Sequence, residues 1–131
     1  MINLRRKGVA IIETNKGILV VAGKNRKFTL PGGGAKIFET GKKATIREIY
    51  EETELKTKKI KYLFRYVGNK WHNFKGKLVK NKVKVFLIIS EGKPKPKKEI
   101  KYIKFWNSKS KVKISKSTKE SIEKYYKLKN K

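Results

Sequence analysis

The sequence has no cysteine, no aspartate, a single histidine and only five arginines. Without cysteine there is no disulfide framework and no thiolate metal site. One histidine, His72, cannot build a zinc centre of several imidazoles. No apolar run approaches the roughly 18 residues needed to cross a bilayer. The apolar run at 9–12 stops at Glu13 and is too short for a signal-peptide core, so the expected location is the cytoplasm and no membrane partner is implied. Arginine is scarce although basic residues are not: 37 Lys plus Arg less 5 Arg leaves 32 lysines. Forked guanidinium contacts to bases and phosphates are what a sequence-reading nucleic-acid site prefers.

Lysine is present in excess, and the formal net charge is +27. Two readings of that charge stand. One is a solvated lysine surface with no particular partner. The other is an affinity for RNA or DNA through displaced counterions. Under either reading an anionic substrate is drawn inward. At 131 residues, 37% hydrophobic and 36% charged, the chain is expected to form one domain over residues 1–131 with its own core.

All ten acids are glutamate, and five of them, Glu39, Glu48, Glu51, Glu52 and Glu54, fall within residues 31–55. A carboxylate cluster in so basic a chain points to a divalent cation. The spacing predicts a helix from about 41 to 54, with Thr40 as its N-cap. Ile46, Ile49, Tyr50 and Thr53 recur at i, i+3, i+4, i+7 and form one face. Glu48, Glu51 and Glu52 recur at i, i+3, i+4 on the opposite side. Three like charges so placed repel one another in a bare helix. A bound cation reverses that sign, and pairing with lysines on a solvated face relieves it. Pro31 and residues 32–34, all glycine, precede the helix and are expected as a flexible loop that lets a ligand approach the backbone.

Elsewhere the pattern is mainly strand. Residues 4–13 and 17–23 are β-branched runs joined by a turn at 14–17, a hairpin signal. Residues 28–30 form a short strand. Residues 57–68 alternate, with Ile60, Tyr62, Phe64 and Tyr66 on one face. Residues 83–90 are the most apolar run and are expected as a central strand. Residues 91–98, with two prolines and a glycine, form a loop. Another strand follows at 99–106. Ser117 and Glu120 make a capping box that opens a helix to about 128, with Ile122, Tyr125, Tyr126 and Leu128 inward. Strands, a helix, more strands and a closing helix make an α/β (α+β) fold with helices packed on a mixed sheet.

Residues 33–55 resemble the Nudix box, G-x5-E-x7-R-E-U-x-E-E-x-G-U, where U is a bulky aliphatic residue. The chain supplies Gly33, Glu39, Arg47, Glu48, Ile49, Glu51, Glu52 and Leu55, eight of the nine fixed positions in register. The departure is Glu54, which stands where the family usually has glycine. That glycine ends the helix with φ > 0, so the change bears on the helix end more than on the chemistry.

The resemblance implies a Nudix-type α/β/α sandwich around a mixed β-sheet. It also implies divalent-metal-dependent hydrolysis of a nucleoside diphosphate linked to another moiety. A nucleoside triphosphate, ordinary or oxidised, leads the substrates. ADP-ribose, a dinucleoside polyphosphate or an RNA 5′ end are the others. Glu48, Glu51 and Glu52 are implied as ligands of Mg²⁺ or Mn²⁺, joined by a backbone carbonyl at Gly32 or Gly33. Gly33, Gly34 and Glu39 shape the loop, and Arg47 holds a box glutamate. Hard oxygen donors without Cys or His suit those ions. The base that takes a proton from the attacking water is Glu52 or Glu99, the latter in a segment ending at Trp106 that resembles family members acting on RNA 5′ ends. Trp71 and Phe74 are candidates for stacking on a base. Arg5, Arg26 and Arg65 are candidates for phosphate contacts. A second function class is a Nudix-like module that binds nucleotide or RNA with little turnover.

Overall fold

The computed structural model describes residues 2–131. Strands β1 (Asn3–Ile11), β2 (Glu13–Thr14), β3 (Gly17–Ala22) and β4 (Gly32–Gly34) precede helix α1 (Gly41–Thr53). Strands β5 (Lys56–Val67), β6 (Trp71–His72), β7 (Leu78–Glu91) and β8 (Tyr102–Trp106) follow, and α2 (Lys116–Lys129) closes the chain. The larger sheet has the order β4-β1-β7-β5, with β6 also paired to β7. β1 and β7 run parallel and the other pairs antiparallel, so this sheet is mixed. A smaller sheet has the order β2-β3-β8.

Side-chain alternation divides the core between the two faces of the larger sheet. Ala10, Phe86 and Ile88 pack with Ile49 of α1. Val9, Ile11, Val83 and Val85 pack with Ile122 and Tyr125 of α2. Buried or half-buried on both faces, residues 85–88 of β7 form a continuous apolar run, as a central strand should, whereas Ile89 beyond them is exposed. The result is the expected sandwich, with one helix on each face. The Tyr125 hydroxyl also donates to Glu13 Oε1 (2.7 Å), which ties α2 to the smaller sheet.

Several local expectations need correction. The turn at 14–17 joins β2 to β3, but β1 does not pair with β3. The first apolar run instead crosses from one sheet to the other after Ile11. The glycine run is an edge strand, with Gly32, Gly33 and Gly34 in register with Val9, Gly8 and Lys7. Residues 28–30 make only isolated bridges, Val21 to Thr29 and Phe28 to Ile114. β5 does not keep one face throughout. A bulge between Tyr62 and Phe64 adds a residue, so Ile60 opposes Ile88 while Phe64 opposes Val85 on the other side. α2 is capped by Ser115, whose hydroxyl accepts from the Thr118 N–H (3.2 Å), rather than by Ser117. Leu128 is 40% exposed and does not face inward.

Candidate active site

α1 begins at Thr40, whose hydroxyl accepts from the Lys43 N–H (3.1 Å). The helix lies close on β1 because Gly8 has no side chain; a Cβ there would collide with Thr45 and the Gly41 carbonyl. The same reasoning holds at Gly33, where a Cβ would collide with the Glu48 carboxylate. β4 is therefore the shelf against which the carboxylates of α1 rest.

Arg47 organises the half-buried rim. Its Nε and Nη2 fork onto the two oxygens of Glu39, both at 2.9 Å. Nη1 donates to Glu48 Oε1 (2.6 Å) and Glu51 Oε1 (3.1 Å), and Nη2 also reaches the Gly34 carbonyl (3.1 Å). One guanidinium thus ties α1 to the turn before it and to the shelf. The Arg47 hydrogen bonds, with one from the Lys36 N–H, hold the Glu39 carboxyl down at about 2. Glu39 in return raises the pKa of Arg47.

Glu52 has a different environment. It is 6% exposed, and its Oε1 accepts the Gly32 N–H (2.9 Å). Burial pushes its carboxyl up to about 7, and the nearby charges of Glu48 and Glu99 push the same way. The Gly32 hydrogen bond and Lys7 offset only part of this. Lys7 is itself lowered by burial and by Arg5. Glu52 opens into a cleft of about 710 Å³ lined also by Gly32, Lys7, Lys24, Lys27, Glu99 and Lys101.

The far end of α1 is closed by the proline-containing loop. Lys95 and Lys97 donate backbone N–H groups to the carbonyls of Thr53 (2.9 Å) and Glu52 (3.0 Å). Glu54 adopts the left-handed conformation, φ 63°, so the helix ends where glycine would have ended it. Its carboxylate pairs with Lys97 Nζ (2.8 Å). Lys98 Nζ reaches Glu51 Oε1 (3.0 Å), and that hydrogen bond lowers the Glu51 carboxyl, with help from Arg47. The loop then delivers Glu99 to the cleft. Among the described residues its carboxylate has no ion pair or side-chain hydrogen bond.

The sequence model of the NUDIX domain matches residues 4–127. The chain belongs to the Nudix family. Its structure is similar to that of a Nudix hydrolase family member from Chromobacterium violaceum, at 35% identity and a TM-score of 0.81, covering 98% of this chain and 81% of that one. The MutT Nudix hydrolase from Burkholderia pseudomallei shares the fold at 20% identity and a TM-score of 0.75, covering 93% and 98%. So does the Nudix domain of Shewanella oneidensis NrtR, solved with ADP ribose, at 16% identity and a TM-score of 0.69, covering 98% and 88%. No curated protein sequence matches the chain. Nudix hydrolases are generally pyrophosphohydrolases acting on nucleoside diphosphate derivatives and generally use divalent metal ions, and this chain is a hydrolase of that type.

The Nudix box glutamates, the glycine shelf and Glu99 come together in the structure, while Trp71 and Phe74 do not join them. Those two aromatics lie in or beside β6 at the sheet edge and line no part of the cleft. Phe74 is 94% exposed. The Arg5 guanidinium lies against Gly34, beside the site, where a Cβ would collide with it. Arg26 lies over the Tyr102 ring, 4.9 Å from its centroid. Arg65 lines a separate groove. Lys7 was not singled out by the sequence. Its signal was phase: it stands in line with Val9 and Ile11, a charge on the inward face of β1.

The donor set fits a hard divalent cation by type, since every side-chain donor is a carboxylate and Glu52 stands buried beside two others. It is not a closed cage. Among the described residues no three acidic or imidazole groups converge at ligation distance. Glu48 and Glu51 are turned instead toward Arg47 and Lys98.

Proposed function

We propose that this chain hydrolyses a phosphoanhydride of a nucleoside triphosphate, in the cytoplasm, with Mg²⁺ or Mn²⁺ held by Glu48, Glu51 and Glu52 and by a backbone carbonyl of Gly32 or Gly33. The observation that carries this reading is the cleft itself. Two carboxylates, Glu52 and Glu99, face four lysines, Lys7, Lys24, Lys27 and Lys101. That many cations favour the more highly charged tail of a triphosphate over the two phosphates of ADP-ribose.

The bound ion would neutralise charge on the pyrophosphate and acidify the attacking water. The chain's own residues do the rest. Lys7 and Lys24 bind phosphate oxygens in the cleft. Arg47 and Glu39 keep the box glutamates and the loop in one arrangement. The Gly32 N–H fixes the orientation of the Glu52 carboxylate. Glu99, with its carboxylate uncommitted, takes the proton from water. A positioned base of this kind contributes about 10²- to 10⁴-fold.

The test is turnover of a panel with Mg²⁺ and with Mn²⁺: ordinary and oxidised nucleoside triphosphates, ADP-ribose, dinucleoside polyphosphates and 5′-triphosphorylated RNA. Glu51→Gln should abolish turnover, and Glu99→Gln should lower kcat by about 10²-fold or more with KM little changed. Turnover of ADP-ribose alone would overturn the substrate assignment. Turnover undiminished by Glu51→Gln would overturn the site.

A further inference from the structure

The groove of about 460 Å³ that Arg65 lines lies on the α1 side of the larger sheet, beyond the first turn of α1. Alternation along β7 turns Lys80, Lys82 and Lys84 to this face, ahead of Phe86 and Ile88, which lie beneath α1. Lys84 packs beside Gly41. Cross-strand register places Arg6 directly beside Lys82 and Arg65 directly beside Lys84. Leu4 and Val67, each 56% exposed, border the same cations.

Like charges directly opposite one another in a ladder destabilise a sheet. Absence of an ion pair does not distinguish these residues, because most lysines among the described residues have none. Juxtaposition does: two rows of paired cations face one concave surface with no carboxylate in its lining. Successive lysines on one face of a strand stand about 6.8 Å apart, twice the rise per residue. That matches the step between phosphates of an extended single strand. Beside the groove is a second anomaly. Arg6 donates to the Glu39 carbonyl (2.7 Å) and the Lys36 carbonyl (3.1 Å), clamping the turn between them. The turn displays Ile37, 82% exposed, and Phe38, fully exposed in the left-handed region with φ 68°. A large apolar ring held out in a costly conformation buries nothing in this chain.

We propose that this face is a binding track for single-stranded nucleic acid, in which Lys82, Lys84 and Arg65 neutralise backbone phosphates and Phe38 stacks on a base. A cationic groove with an exposed aromatic is the arrangement that holds single strands without reading their sequence. Duplex has no free base face for Phe38, and an acidic peptide, which can present carboxylates at the same step, has no base to stack on it. The inference does not depend on which anhydride the cleft cleaves.

The experiment is fluorescence anisotropy with a labelled single-stranded oligouridylate across a salt series. Three variants are compared with the unaltered protein: the triple Lys82→Gln, Lys84→Gln, Arg65→Gln; a charge-matched triple, Lys109→Gln, Lys111→Gln, Lys113→Gln; and Phe38→Ala. The track triple should weaken binding about tenfold or more and flatten the salt slope by about 2, at roughly 0.7 for each phosphate no longer neutralised. The charge-matched triple should weaken it less than about twofold. Phe38→Ala should weaken binding about fivefold or more with the slope unchanged. Phe38 is fully exposed, so this variant reads out binding even if the triple fails to fold. Thermal melting and turnover of a free nucleotide check that the variants are intact. Equal weakening by the two triples would overturn the track in favour of diffuse charge. Equal competition by duplex, tripolyphosphate or polyglutamate would overturn the assignment to single strands.

Discussion

Arg47 is the residue on which the box depends mechanically, because one planar group satisfies Glu39, Glu48, Glu51 and the Gly34 carbonyl together. A lysine there keeps the charge but loses the fork. Arg47→Lys should therefore release the 34–39 segment, seen as faster amide exchange there and a lower urea midpoint. The same hydrogen bonds set an acid limit. Glu39 titrates at about 2 when folded, below the 4.5 of the free group. A depressed carboxylate contributes stability that is fully present above the unfolded value and lost as pH falls toward the folded one. Urea midpoints should decline as pH drops from the higher of those values to the lower, and Glu39→Gln should flatten that stretch of the profile; an unchanged profile would count against the fork. Lys98 poses a competition of another kind. Its ammonium occupies Glu51 Oε1, which the proposed cation also needs. Exposed pairs of this kind are worth about 0–1 kcal/mol, so Lys98→Ala should lower the Mg²⁺ concentration for half-maximal turnover by up to about fivefold. A higher Mg²⁺ requirement would show that Lys98 supports the site instead.

At the scale of elements, the end of α1 shows how a family feature can survive a change of residue. Glu54 keeps the left-handed conformation that glycine provides without strain. What holds it there is the loop from β7, through the Lys95 and Lys97 N–H groups on the last carbonyls of α1 and the exposed Lys97 pair. Relief of backbone strain outweighs so exposed an ion pair. Glu54→Gly should thus raise Tm by about 2–5 °C, and a fall would assign the helix end to the ion pair. Helical periodicity made α1 and its cap legible, because i, i+3, i+4 spacing is read within one helix, but not its faces: Tyr50, expected with the apolar residues, is 52% exposed, while Glu52, expected opposite them, is buried on the same side as Ile49 and Thr53. Strand partners were less legible. Pairing of β1 with β7 joins residues more than 70 positions apart, and no local pattern announces it. The bulge at Leu63 leaves alternation looking regular while turning Phe64 to the other face. The box residues were legible through their register, whereas Lys7 and the groove beside Arg65 needed the sheet to bring distant cations together. Glu99 could be named from the chain, but only the docked loop places it opposite Glu52.

For the molecule as a whole, charge sets a conflict that can be decided by magnitude. Six ion pairs among the described residues are stabilising and weaken with added salt. Three share the single guanidinium of Arg47, and the other three are partly exposed, so screening them removes only a modest stabilisation. Against them stands a net charge of +27 confined to one small fold. Self-repulsion on that scale opposes compaction and acts between all cations, including the facing rows of Arg6 with Lys82 and Arg65 with Lys84. Raising ionic strength from about 0.01 M to 0.1 M shortens the screening length from about 30 Å to about 10 Å, from roughly the dimensions of the fold to well within them. Repulsion across the whole molecule is then removed first, while ion pairs at about 3 Å are screened least. The net effect should be stabilising, and Tm should rise with sodium chloride over this range. Single-stranded oligonucleotide, binding the folded state alone, should raise it further at low salt and lose that advantage as salt increases. A Tm that falls steadily with salt would show that the few ion pairs outweigh the lysine excess, and that cation rows on the α1 face carry no repulsion for a polyanion to relieve.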